Sequence, residues 1–372
     1  MFDKIKNSID IYLLEVILIL MLFGLVMVFS ASSMELVMKN NSPYGTFLRQ
    51  GAFVLAGIFV MVATSFIDYK LWKKLAPVFY YISLVLLLLL FTSMGIERNN
   101  ATRWIKIGIE LQPSEVAKLA VILMVSSIIS RYKEETLDKF MTFIKIGTFV
   151  IIPCVLVYLQ PSLSSATTVL IIGVSIMVAS GIKLRYIFLG AAGVLPFAAF
   201  MIMKQNYMIG RITALFDRWG DAQDGGFQLL QSLYALANGG LFGVGLGNST
   251  QKFQYIPEAQ NDFIFAIIGE ELGFIGSVTV VALYGFFILR GLRISNQCSD
   301  EFGRLVAFGI TVMIGFQAFF NILVAIGLAP TTGVSLPLIS SGGSSFIVFS
   351  FSMGILLNIS KKKRPKRIQL NQ

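Results

Sequence analysis

Long apolar blocks separated by short polar stretches dominate this chain. The blocks are continuous rather than alternating in period two, which argues for helices and against a β-barrel. Each is near the roughly 20 residues that a helix needs to cross a hydrocarbon core. Ten helices are predicted, near 11–31, 50–67, 75–94, 113–130, 142–160, 165–181, 185–205, 263–289, 303–327 and 335–358. The expected fold is therefore an all-α polytopic membrane protein with ten transmembrane helices. It forms one integral membrane domain over 1–360, with a basic tail over 361–372. The first block is too long for the core of a cleaved signal peptide, and no small-residue cleavage pattern follows it. One connection breaks the rhythm: about 56 residues (207–262) separate the seventh and eighth helices. Structureless loops beyond about 12–15 residues are uncommon and usually functional. Here FQLLQSLYALA (227–237) has helical periodicity and leads into GGLFGVGLG (239–247), so a partly helical element buried against the bundle is expected.

Composition narrows the class further. Of 372 residues, 56% are hydrophobic and 13% charged, against about 25% charged in a soluble domain. The mean hydropathy is +0.77, which excludes a soluble enzyme and a single-anchor protein. Cys154 and Cys298 lie far apart without metal-type spacing, so neither a disulfide framework nor a zinc site is expected. Histidine is absent, which leaves acid–base chemistry to carboxylates, lysines or tyrosines. The net charge of +10 is distributed by topology rather than as a nucleic-acid footprint. With the N-terminus inside, twenty Lys and Arg fall on the inner connections and tails and nine on the outer ones. That bias predicts both termini in the cytoplasm.

Ionisable groups inside spans are the next signal, since each costs about 2.5–3.5 kcal/mol on insertion scales. In RWIKIGIELQPSEVAKLA (103–120), Pro113 suits a first helical turn. Glu115 and Lys118 then share one helix face at i and i+3. They form either a self-neutralising ion pair or the wall of a polar cavity. Arg103 and Lys106 nearby favour the cavity, and clustered cations suit a phosphate or pyrophosphate. In YIPEAQNDFIFAIIGEELGFIG (255–276), Asp262 is either the N-cap of the eighth helix or a general base at the outer boundary, with Glu258 four residues earlier. Glu270 and Glu271 lie deeper and read mainly as structural. In APTTGVSLPLISSGGSS (329–345), prolines and glycines break regular helix. Such backbone survives at membrane depth only where buried or lining a cavity. There the hydroxyls of Ser340, Ser341, Ser344 and Ser345 are free to donate to an anion.

These stretches, with GGLFGVGLGNSTQKFQYIPEAQNDFIF (239–265), resemble the SEDS family (shape, elongation, division and sporulation), which includes FtsW, RodA and SpoVE. The resemblance runs from about Leu13 to Asn358. KFQYIPEAQNDF and DRWGD (217–221) look closer to the FtsW/SpoVE branch. It implies a peptidoglycan glycosyltransferase that polymerises lipid II on the outer face of the cytoplasmic membrane, in cell division or sporulation. Undecaprenyl pyrophosphate would be the leaving group, with inversion at the donor carbon. By the same resemblance Asp262 is the catalytic carboxylate, and Glu115, Lys118 and Arg103 line its cavity. Arg49 and Arg211 fall at positions usually basic in relatives. The implied partners are a class B penicillin-binding protein, a transpeptidase, and other divisome, elongasome or sporulation proteins. Phe286, Phe287, Phe316, Phe319 and Phe320 offer bulk for a single-pass partner. A divalent cation (Mg or Mn) could share the pyrophosphate charge, but no spacing fixes a metal site.

The chain departs from the family pattern in three places. QPSLSSA (160–166) puts Ser162 where relatives usually carry an aspartate, Gln260 and Asn261 replace a usual His-Thr, and ISSGGSS replaces ISYGGSS. A catalytically weak scaffold is therefore one competing reading, and a lipid II flippase is another. The flippase would need repeated halves of the kind alternating access usually employs, and no internal repeat is visible.

Overall fold

In the computed structural model, residues 9–361 are described except 39, 99–100, 108, 161, 204–208, 212, 214, 216–225, 253–258 and 332. DRWGD, Glu258 and the tail beyond Lys361 lie outside these residues. The elements in chain order begin with α1 (Ile11–Met38), α2 (Gly45–Phe66) and α3 (Tyr69–Leu89). Strands β1 (Gly95–Arg98), β2 (Ala101–Ile107) and β3 (Ile109–Leu111) follow. Next come α4 (Pro113–Ile129), α5 (Glu134–Leu137), α6 (Phe140–Tyr158), α7 (Leu163–Ala179) and α8 (Leu184–Met203). The remainder is α9 (Phe227–Gly239), α10 (Ile264–Gln297), α11 (Glu301–Ala325) and α12 (Ser344–Ser360). Six helices, α1, α2, α3, α6, α10 and α11, are each long and apolar enough to cross a membrane. α7 and α12 are shorter apolar helices. The chain is a mostly helical, multi-pass membrane protein.

Several boundaries and one class assignment differ from expectation. α3 starts at Tyr69 rather than near 75, because the Asp68 carboxylate accepts from the Lys70 N–H at 3.0 Å and caps it. The last helix starts at Ser344 rather than near 335, since Pro337 and the Gly342–Gly343 pair interrupt the pattern. α10 runs to Gln297, with a break at Gly273. The fold is also not purely helical. β1, β2 and β3 form an antiparallel sheet in that order, with Lys106 opposite Glu110 and Ile105 opposite Leu111. Ile105, Ile107, Ile109 and Leu111 recur at every second residue, the period of a strand.

α4 and α11 form the centre of the bundle. α4 is buried over nearly its whole length, as expected of a helix that is apolar all round. α11 is buried on most of its circumference. Of the phenylalanines offered to a partner, Phe287 is fully buried and belongs to the core, whereas Phe286 and Phe319 are exposed. Phe316 and Phe320 stack on each other at 5.6 Å.

The end of the bundle where the described chain begins and ends is tied together. Asp10 pairs with Arg290, and its N–H donates to Ser360 Oγ at 3.0 Å. Asn358 accepts from the Tyr69 N–H at 2.9 Å and donates to Ser65 O at 2.8 Å. At the opposite end the sheet, the turn before α10 and the residues leading into α12 meet, with Ser341 N–H donating to Gln260 O at 2.9 Å and Gln112 N–H to Ser344 Oγ at 3.0 Å.

Candidate active site

A cavity of about 540 Å³ opens at that second end. Asp262, Glu115, Lys118, Arg103, Arg49, Arg211 and Ser344 all line it. The residues come from α2, β2, α4, the irregular segment before α12 and the connection before α10, so distant parts of the sequence converge.

Proline at the first turn starts α4 and sets Glu115 and Lys118 on its inner face. Lys118 Nζ lies 2.7 Å from Glu115 Oε1 and 2.8 Å from Gln317 Oε1 on α11. Glu115 is 4% exposed and Lys118 is 1% exposed, so this is a buried pair and a cavity wall at once. Among the described residues, Glu115 Oε2 has no hydrogen-bond partner.

Asp262 is not the N-cap of α10. The helix begins at Ile264 with Phe263 in the cap position, which leaves the carboxylate one residue outside that geometry. Its carbonyl accepts from Asn321 Nδ2 at 2.7 Å. Across the cavity, Gly333 has φ of +71°, a left-handed conformation that favours glycine. A Cβ there would lie 3.2 Å from Arg103 Nη1 and 3.3 Å from Asp262 Oδ2. The guanidinium and the carboxylate thus converge on one bare backbone position.

The remaining predicted residues fill distinct places. Arg211 donates to Thr331 O at 2.7 Å, and Arg49 stands exposed at the wall. Ser344 Oγ accepts from the Gln112 N–H at 3.0 Å, tying the start of α12 to the end of the sheet. Ser341 and Ser345 also line the cavity. Ser340 does not; its Oγ accepts from the Leu336 N–H at 2.8 Å. Ser162 also lines the wall. Trp104, Glu110, Gln112 and Gln317 also line it and were missed from sequence.

The connection entering the site is clipped to α10. Gly273 (φ +68°) breaks the helix, freeing backbone groups that glycine-rich 240–245 satisfies. Val244 N–H donates to Glu270 O and Gly245 N–H to Glu271 O, both at 3.0 Å, while Phe274 N–H donates to Gly240 O at 2.9 Å. The two buried carboxylates hold the next turn. Glu270 accepts from the Thr250 N–H at 3.1 Å and from Ser249 Oγ. Glu271 accepts from Ser30 Oγ at 2.7 Å and pairs with buried Lys252 at 3.4 Å. Among the described residues, no group of three or more His, Cys, Asp or Glu gathers as a metal cage.

Four cations and three carboxylates therefore face one water-accessible mouth of an apolar bundle. Fold and site together define a polytopic membrane protein with a polar, charged cavity at one end. The chain belongs to the FtsW/RodA/SpoVE family of cell cycle proteins, whose family model matches residues 11–365. It is 39% identical over 358 residues, 95% of each chain, to the probable peptidoglycan glycosyltransferase FtsW of Geobacter metallireducens. It is 38% identical to stage V sporulation protein E of Bacillus subtilis, covering 96% of this chain and 99% of that one. Among solved structures, a chain of a peptidoglycan synthase complex described as coordinating polymerization and crosslinking aligns with TM-score 0.79 and 26% identity. That alignment covers 95% and 97% of the two chains. The rod shape determining protein RodA of Thermus thermophilus aligns with TM-score 0.70 and 25% identity over 96% and 98%.

Proposed function

We propose that this protein is a peptidoglycan glycosyltransferase polymerising lipid II into glycan strands, serving cell division or sporulation. The observation that carries the reading is the convergence of Asp262 and Arg103 on Gly333 beside the Lys118–Glu115 pair, within one cavity. Relatives named as glycosyltransferases over nearly the full chain support it.

In this reading Asp262 is the general base for the acceptor's sugar hydroxyl. That oxygen forms a bond to the donor's anomeric carbon as the bond to undecaprenyl pyrophosphate breaks, inverting the centre. The proton passes to Asp262, and Arg103 and Lys118, with Arg49 and Arg211, stabilise the charge leaving on the pyrophosphate. Fixed charges aimed at a developing anion are usually the largest catalytic contribution. Glu115 and Ser344 hold Lys118 and the cavity wall. A divalent cation (Mg or Mn) would share the pyrophosphate charge there, held largely by the substrate phosphates rather than by a protein cage. With all of α4, α7, α8 and α12 counted as spans, the chain crosses the membrane ten times. The cavity then faces outward and both termini face the cytoplasm, in line with the Lys and Arg bias. The partner is a class B penicillin-binding protein seated against α10 and α11, a reading supported by the synthase complex that the fold resembles.

One observation favours a second reading, a scaffold with weak activity: the cavity wall carries Ser162, at the position where the family resemblance implies an aspartate. Polymerisation of lipid II by purified protein, with and without the class B partner, tests both. Product from the wild type but not from Asp262→Ala supports the enzyme. No product from either, with the partner still bound, supports the scaffold.

A further inference from the structure

We propose that Asn321 and Gln317, one turn apart on α11, are positioning residues that set the separation between Asp262 and the Lys118–Glu115 pair. The proposal rests on the glycosyltransferase reading for its rate effect, but its geometry stands apart from that reading. Residues four apart on a helix share one face about 6 Å apart along the axis. Gln317 Oε1 accepts from Lys118 Nζ at 2.8 Å, and its Nε2 donates to Met313 O at 3.3 Å. The amide is thereby held with its oxygen toward the lysine. Asn321, 1% exposed, donates through Nδ2 to Asp262 O at 2.7 Å and to Val334 O at 2.8 Å.

Asn321 grips the backbone of Asp262, so the carboxylate stays available for chemistry. It also joins the connection before α10 to the irregular segment, and Ser341 N–H repeats that join by donating to Gln260 O at 2.9 Å. Val334 follows Gly333, against which Arg103 and Asp262 converge. One buried helix thus carries two amides, one for the base and one for the cation that stabilises the leaving group. Misplacement of reacting groups by about 1 Å can cost about 10²-fold in rate.

The test uses full-length protein carrying Asn321→Ala, with Asn321→Ser as a milder variant should the first not fold. Lipid II turnover and KM are measured beside amide hydrogen exchange of peptides spanning 259–263 and 333–341. The expected result is turnover down by about 10–10²-fold with KM unchanged, and faster exchange in both peptides together. Gln317→Leu, which removes the acceptor for Lys118, should likewise lower turnover with KM unchanged. Unchanged exchange in either peptide overturns the proposal, as does a turnover loss accounted for wholly by less folded protein. If the wild type itself makes no glycan, the glycosyltransferase reading falls, while the exchange data still decide whether Asn321 couples the two segments.

Discussion

Glu115 and Lys118 illustrate at the residue scale how charge is kept at membrane depth. The pair is 2.7 Å apart and almost fully buried, with Gln317 as a third partner. Removing one member of a buried pair leaves an uncompensated charge, at a cost of about 3–5 kcal/mol. Lys118→Met should therefore lower unfolding stability in detergent by about that amount. The double variant with Glu115→Gln should recover most of the loss while glycan synthesis stays abolished. Equal stability of the single and double variants would show that the pair is not coupled. Asp262→Asn keeps the shape of the site without its base, so polymerisation should fall by about 10²–10⁴-fold with lipid II binding retained. These charged residues were legible because an ionisable side chain stands out in an apolar run. Gln317 and Asn321 were not, since neutral amides disturb the pattern less and their partners lie in other segments.

At the scale of the element, α10 is two helices joined at Gly273, and the break is what anchors the chain approaching Asp262. A Cβ at Gly273 would lie 2.4 Å from Gly243 N, and the residue's φ is +68°. With ψ of −164° the backbone lies in a region almost exclusive to glycine, and holding an L-residue there costs about 1–3 kcal/mol before any clash. Gly273→Ala should thus lower the melting temperature and speed amide exchange at Val244 and Gly245, leaving α12 unaffected. Glu271→Gln should weaken the same clip by taking the charge from the Lys252 pair, with a smaller loss. The apolar blocks made the long helices readable, because length and continuity are local properties. The sheet over 95–111 escaped although Ile105 to Leu111 alternate, since polar Arg103, Lys106 and Glu110 made that stretch read as a charged connection. The break at Gly273 escaped for a different reason. It is defined by hydrogen bonds to 240–245, a pairing that no sequence period reveals.

For the whole molecule, the question is whether the cavity serves chemistry on one face or passage between two. All cavity-lining residues belong to the end that carries the sheet and the 326–343 segment. The other end is closed by Asp10 with Arg290 and Ser360, and by Asn358 with Tyr69 and Ser65. A flippase would have to open that closed end once per cycle, breaking a half-buried ion pair and several buried hydrogen bonds each time. An enzyme working from one face never opens it. Replacing Asp10 and Arg290 by cysteine and joining them with a short bis-maleimide should therefore leave glycan synthesis intact. The same crosslink would stop a transporter. Sidedness is checked in the same cells: a membrane-impermeant maleimide should label Lys106→Cys from outside, and Lys183→Cys only after permeabilisation, both sites being exposed. Buried Cys298 should stay unlabelled in either case. Labelling of Lys183→Cys from outside would invert the topology and turn the cavity toward the cytoplasm, where polymerised strands would have no wall to enter. Synthesis lost on crosslinking, with Asp262 intact and the fold unchanged, would revive the transport reading.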